Sequence, residues 1–273
     1  MMKNNPSFNS ILRCEIKTYK KRLQSCQRKI CTESVHKLRI SLRRLLVLIA
    51  LIHYLAPQTE LSKPQKRLKR QLDDLDEMRD IQVMQETLES EMPSLMEIEP
   101  FLKHLQKRQL YLIKQVGKRI TGSAKRKIHR KINQAIKSAD VGLRGCELKA
   151  EIITYMDVLY QTVLQRYQRV DPAYPASIHS LRIALKKFRY TLLLTHSLIP
   201  PLPVQHLKRL QSHLNAMGNI QNSTVLQNQV HHFFLENPPP QVKHYLQNRQ
   251  QQLIENYMSQ CTEVFKFWPV YGS

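Results

Sequence analysis

The sequence predicts an all-α protein made of two pseudo-symmetric, antiparallel four-helix bundles, and three observations predict it. Glycine is scarce, 6 in 273 residues. The stretches between prolines are rich in Leu, Ile, Lys, Arg and Gln, which favour helix and supply few tight turns. No window carries the strict alternation of a half-buried strand. The third observation is an internal repeat, which gives the two bundles.

The repeat has three parts in the same order. Val35-His36-Lys37-Leu38-Arg39-Ile40-Ser41-Leu42-Arg43-Arg44 matches Ile178-His179-Ser180-Leu181-Arg182-Ile183-Ala184-Leu185-Lys186-Lys187. Leu75-Asp76-Glu77-Met78-Arg79-Asp80-Ile81-Gln82 matches Leu214-Asn215-Ala216-Met217-Gly218-Asn219-Ile220-Gln221. A weaker match pairs Leu105-Gln106, Arg108-Gln109 and Leu112-Ile113 with Leu246-Gln247, Arg249-Gln250 and Leu253-Ile254. The offsets drift by only a few residues, as a duplicated unit of about four helices requires. We therefore read residues 1–273 as one domain, with a first bundle over 1–122 and a second over 123–273.

Each helix has its own signal. The first spans Asn9 to Cys31, where Leu12, Ile16, Tyr19, Leu23, Cys26 and Ile30 recur at four- and three-residue steps. The second starts at Thr32 or Ser34 and stops before Pro57, whose ring cannot continue it. The third follows Lys63, with Pro64 suited to a first turn, and reaches Glu91. The fourth runs from Pro100 to Ile120, ending at Thr121-Gly122-Ser123. Five more are predicted at Ala124–Ala139, Leu148–Val170, Ala176–Leu198, Pro203–Leu235 and Pro240–Phe267. The breaks between these fall at Asp140–Gly145, Asp171–Pro175, Pro200–Pro203 and Pro238–Pro240.

Charge is the strongest functional signal. The net charge is +22, a self-repelling excess that an anionic partner relieves. It is uneven: residues 1–145 carry 31 Lys and Arg against 14 Asp and Glu, and residues 146–273 carry 12 against 7. Hydrophobic content of 42% sets the chain apart from a disordered basic tail. The five cysteines form no Cys-x-x-Cys pair and read as reduced thiols of a cytoplasmic protein. The first ten residues lack the apolar run of a secretory signal. The longest apolar stretch, Leu45 to Ile52, is too short to span a bilayer, so no membrane role is expected.

The repeated helix arranges part of this charge. At ~100° per residue, Leu38, Leu42, Leu45 and Ile49 form a core stripe, and His36, Arg39 and Arg43 fall together on a neighbouring face. In the second copy His179, Arg182 and Lys186 take that face, with Arg189 on its edge. Arg44 and Lys187 lie to the other side. A cationic row at ~5–6 Å steps suits an extended anion with repeating charge. Arginine forks onto phosphate oxygens, and lysine adds point charge. Histidine among cations is neutral when the site is empty and gains a proton as phosphate arrives. Arg13, Lys17 and Lys20 add cations along the first helix, and Lys69 and Lys208 correspond across the repeat. The opposing structural reading pairs the arginines with Asp73, Asp74, Asp76, Glu77 or Asp80.

The pattern His-x-x-Arg-x-x-x-Arg/Lys-Arg/Lys, present twice and followed each time by an Asp/Asn-Ile motif, resembles the CHAD family, the conserved histidine α-helical domain. The resemblance covers almost the whole chain. It implies two four-helix bundles around a basic central cavity, with inorganic polyphosphate as ligand. The implied binding residues are His36, Arg39, Arg43, Arg44, His179, Arg182, Lys186, Lys187 and Arg189. Association with polyphosphate granules is likewise implied by family alone. Two departures stand out. Leu46 occupies the position of Arg189, and the second half is poor in charge, which implies a lopsided cavity with the N-terminal half binding more strongly.

Other chemistries find little support. There is no GxSxG, no Walker loop and no Cys–His pair, so no catalytic residues and no cofactor are expected. His231-His232 and the absence of HExxH argue against a metal. Lys125-Arg126-Lys127, with Arg130 and Lys131, leaves nucleic acid as the rival polyanion, although aromatics amount to only 7%.

Overall fold

The computed structural model describes residues 7–92, 96–121 and 146–268. Eight α-helices lie among them: α1 (Phe8–Arg28), α2 (Thr32–Leu55), α3 (Ser62–Glu91), α4 (Glu99–Thr121), α5 (Cys146–Tyr167), α6 (Pro175–Thr195), α7 (Val204–Phe233) and α8 (Pro240–Met258). Short 3₁₀ turns occupy Met96–Ile98 and Cys261–Lys266. No strand occurs among the described residues, so the all-α expectation holds. The helix expected over Ala124–Ala139, the break after it and the basic run from Lys125 to Lys131 lie outside the described residues.

The chain divides into two compact units. One comprises Met1–Arg79, Leu112–Val158 and Lys187–Leu202, and the other Asp80–Tyr111, Leu159–Lys186 and Pro203–Ser273. Each draws on both sides of residue 122, because α3, α4, α5 and α6 each contribute to both.

In the first unit α1 packs on α2. Leu12, Ile16, Tyr19, Leu23 and Cys26 of α1 are buried, as are Val35, Leu38, Leu42, Leu45, Leu48 and Ile52 of α2. Of the predicted stripes, every residue is buried except Ile30, which is half-buried, and Ile49 is buried with them; Val35, Leu48 and Ile52 widen the α2 stripe beyond the prediction. Each such side chain contributes about 1.5–3 kcal/mol, whereas an exposed pair such as Lys37–Glu33 is solvated and contributes little. The apolar stripe therefore sets the rotation of α2, and the rotation places its cations. Ser7 caps α1 by accepting from the Ser10 N–H at 3.2 Å. Tyr19 donates to Gln71 Oε1 of α3 at 2.7 Å. Burial pushes its hydroxyl up to about 12 despite that bond.

In the second unit Phe101 packs on Phe233 with ring centroids 5.3 Å apart. His213 is buried against the rings of Tyr257 and Phe267. Burial brings its pKa down to about 4, against the opposing pull of Glu263. It is a neutral core histidine at physiological pH.

Five helices end earlier than predicted: α1 at Arg28, α5 at Tyr167, α6 at Thr195, α7 at Phe233 and α8 at Met258. The last stops at Met258 instead of continuing to Phe267. There the Ser259 hydroxyl and the Gln260 amide both donate to the Asn256 carbonyl, at 2.9 and 3.2 Å, and compete with the backbone for it. The chain tightens into the Cys261–Lys266 turn, where the Val264 carbonyl accepts the Tyr160 hydroxyl and Phe267 and Trp268 are buried. Helix α6 ends at Thr195, with the Thr191 and Thr195 hydroxyls bonded to carbonyls four residues back. Cys14, Cys26, Cys31 and Cys261 are free thiols. No helix among the described residues is long and apolar enough to cross a membrane.

Candidate anion-binding site

The cationic groups lie in both units, and each unit has its own arrangement. In the first unit, α2 exposes His36. Arg39 and Arg43 converge on one carboxylate, that of Asp76 in α3. Arg39 donates to Asp76 Oδ1 from Nε at 2.9 Å and from Nη2 at 2.6 Å. Arg43 Nη2 reaches the same oxygen at 3.4 Å. The Arg39 side chain is only 14% exposed and that of Arg43 27%, so Asp76 orients both guanidiniums while leaving edges open. This is the pairing that the structural reading anticipated, made by one of its five candidate acids. A second, Asp74, pairs with Arg119 at 2.5 Å.

Arg44 points to the other side of α2, as its helical position requires. It forks onto Glu15, with Nε to Oε2 at 2.8 Å and Nη2 to Oε1. Glu15 is buried on α1, and the sequence reading missed it. Its signal was present: Glu15 lies within the Leu12–Ile16–Tyr19 stripe, where a carboxylate needs a cation. The pair borders a cavity of about 270 Å³ that Arg22, Lys37, Thr18 and Ser41 also line.

The far end of α6 also belongs to the first unit. Lys187 stands over the Tyr155 ring, its ammonium 5.9 Å from the centroid, a cation–π contact. Arg189 is half-buried, and among the described residues its buried Nε has no hydrogen-bond partner. Burial lowers its pKa, and the nearby charge of Arg44 lowers it further. Arg13 and Lys17 on α1 are exposed, Lys20 is half-buried, and Lys69 on α3 is exposed.

In the second unit α6 presents His179, Arg182 and Lys186, all half-buried. Burial lowers the His179 pKa most, and the charges of Arg182 and Lys186 lower it further. A hydrogen bond with Gln221 works against them. Asn215 replaces Asp76 in this copy, and the Arg182 guanidinium lies against Gly218. Lys208 is exposed on α7. A larger cavity, of about 810 Å³, is lined by Asn219, His244, Tyr245, Asn248 and Gln252 and by the ion-paired Glu91 and Arg249. Its paired charge and many side-chain amides suit a polyanion poorly. No cluster of three metal-ligating side chains occurs among the described residues.

Three features therefore coincide: α-helices throughout the described residues, two imidazole–guanidinium rows on α2 and α6, and an arginine of each row set against the repeated α3/α7 segment, Arg39 on Asp76 and Arg182 against Gly218. The CHAD domain family matches residues 12–231 of this chain. The chain belongs to the CHAD family. The crystal structure of the CHAD domain from the plant Ricinus communis is similar to it, with a TM-score of 0.70 at 19% identity, covering 95% of this chain and 88% of the plant chain. That likeness carries the fold. Comparison with curated proteins gives no match.

Proposed function

We propose that this CHAD protein binds inorganic polyphosphate without chemically altering it, through the cationic groups of α2 and α6. The observation that carries the proposal is the duplication. The same His–Arg–Arg/Lys row recurs within one domain, each time anchored by a buried leucine stripe in a chain of net charge +22. A polymer of identical anionic units suits a repeated cationic row better than a ligand with one charged end does. Arg39 and Arg43, both oriented by Asp76, and Arg182, set against Gly218, supply forked donors to phosphate oxygens. Arg44, Lys187 and Arg189 extend the basic surface of the first unit. Lys186 adds charge in the second, and Arg13, Lys17, Lys20, Lys69 and Lys208 add weaker, solvated attraction. We place the protein in the cytoplasm, on polyphosphate.

His179 ties binding to pH. Burial and the adjacent Arg182 and Lys186 charges hold it neutral in the empty protein. A bound phosphate offsets those charges, so its pKa is higher in the complex than in the free protein. Binding therefore takes up a proton, and affinity rises as pH falls towards 6.

The test is a calorimetric titration of purified protein with long-chain polyphosphate. It is run at several salt concentrations, at pH 8 and pH 6, with duplex DNA and RNA as competitors at equal phosphate concentration. The expected outcome is a steep linear fall of log K with log salt, losing about 0.7–0.9 per phosphate contact. Tighter binding at pH 6 should be diminished in His179→Gln, and polyphosphate should displace both nucleic acids. Displacement of polyphosphate by DNA or RNA would assign the basic surface to nucleic acid. Release of orthophosphate would show an enzyme.

A further inference from the structure

Gly218 sits in the middle of α7 and is buried. A glycine there weakens a helix relative to alanine, so its presence needs a reason. The reason is visible in its surroundings. A Cβ built on Gly218 would lie 3.2 Å from Arg182 Nη2, 3.5 Å from Nε and 3.7 Å from Cζ. The guanidinium thus lies against the bare Cα: Nε and Cζ would meet an added methyl group at ordinary contact distance, and Nη2 would have to give by a few tenths of an ångström.

The repeat sharpens the point. Gly218 corresponds to Arg79 in the first copy, and Asn215 one turn earlier corresponds to Asp76. The first copy holds Arg39 with a carboxylate that accepts from Nε and Nη2. The second copy has an amide at that position and, one turn on, no side chain at all. At this position the two copies therefore meet the same arginine differently: with a carboxylate in the first and with a bare Cα in the second.

We propose that Gly218 is a positioning residue for Arg182, its absent side chain forming the seat that sets the guanidinium plane for anion binding. The consequence for affinity rests on the polyphosphate reading, whereas the seat itself does not. The test is a double-mutant cycle of Gly218→Ala and Arg182→Ala, followed by thermal unfolding and by polyphosphate titration.

With Arg182 present, Gly218→Ala is expected to leave Tm unchanged or lower it, because crowding of the guanidinium cancels the gain in helix propensity. With Arg182→Ala, the same substitution is expected to raise Tm by roughly 1–3 °C. In the titration, Gly218→Ala alone should weaken polyphosphate binding roughly 5-fold, about 1 kcal/mol, and flatten the salt dependence. In the Arg182→Ala background it should change neither. An equal Tm increase in both backgrounds would overturn the seat, whatever the protein binds. Coupling in Tm without polyphosphate binding by any variant would support the seat and remove the polyphosphate reading instead. Coupling in Tm with affinity unmoved by Gly218→Ala would overturn the positioning role.

Discussion

Replacing Arg39 and Arg182 together by glutamine is expected to weaken polyphosphate binding roughly 10²- to 10⁴-fold, with the far-UV helical signal intact. Each arginine supplies charge-assisted hydrogen bonds worth about 1.5–3 kcal/mol, and two such losses give that range. Glutamine is preferred to a charge reversal because Arg39 donates to Asp76, and a glutamate there would set two carboxylates against each other. The single variants divide the effect. Arg39→Gln leaves Arg43 on Asp76, so the first row keeps an oriented guanidinium, while Arg182→Gln takes the guanidinium from its glycine seat. Titration of the three variants at fixed salt checks the expectation. Near-wild-type affinity in the double variant would place binding on other cations of the chain.

The second large effect concerns Asp76, whose replacement should move stability and affinity in opposite directions. Asp76→Asn keeps the shape of the side chain and removes its charge. Arg39 and Arg43 then lose the anion that both address. The Arg39 side chain is 14% exposed and that of Asp76 35%, so the loss lies between that of a surface pair and that of a buried one, about 1–2 kcal/mol. Thermal unfolding should register it as a Tm lowered by a few degrees. Polyphosphate affinity should rise several-fold, because the ligand no longer competes with a resident carboxylate for two guanidiniums. The second copy already carries Asn215 at this position. A fall in both Tm and affinity would mean that Asp76 serves the ligand by orienting the arginines more than it opposes the ligand by its charge.

Much of this was legible before any coordinates, for reasons that particular residues make plain. The stripes Leu12–Ile16–Tyr19–Leu23 and Leu38–Leu42–Leu45 announce their own burial, because helical periodicity and hydrophobicity are local properties. The duplicated rows follow from the same periodicity: once Leu38 and Leu181 face inward, His36, Arg39 and Arg43, or His179, Arg182 and Lys186, share a flank.

What stayed hidden depends on tertiary partners. Nothing local tells Arg39 to choose Asp76 over Asp73, Glu77 or Asp80. Nor does anything local say that Arg44 turns back to a buried Glu15. The +17 and +5 of residues 1–145 and 146–273 suggested a stronger N-terminal half. Asp76 sits against the first row and Glu15 against Arg44 on the other side of α2, so a charge summed over residues 1–145 does not say what that row offers a ligand. Gly218 looked like an ordinary change within the repeat, and its meaning appeared only with the guanidinium above it. The early end of α8 likewise turns on Ser259 and Gln260 side chains reaching one carbonyl, which hydrophobic periodicity cannot register.

The most direct measurement is a crystal structure of the protein grown with a polyphosphate of defined length. Phosphate oxygens should lie within hydrogen-bonding distance of Arg39 and Arg43 on α2 and of Arg182 and Lys186 on α6, with His179 close enough to donate. Phosphates confined to Arg13, Lys17 and Lys20 on α1, with both repeat rows bare, would contradict the account.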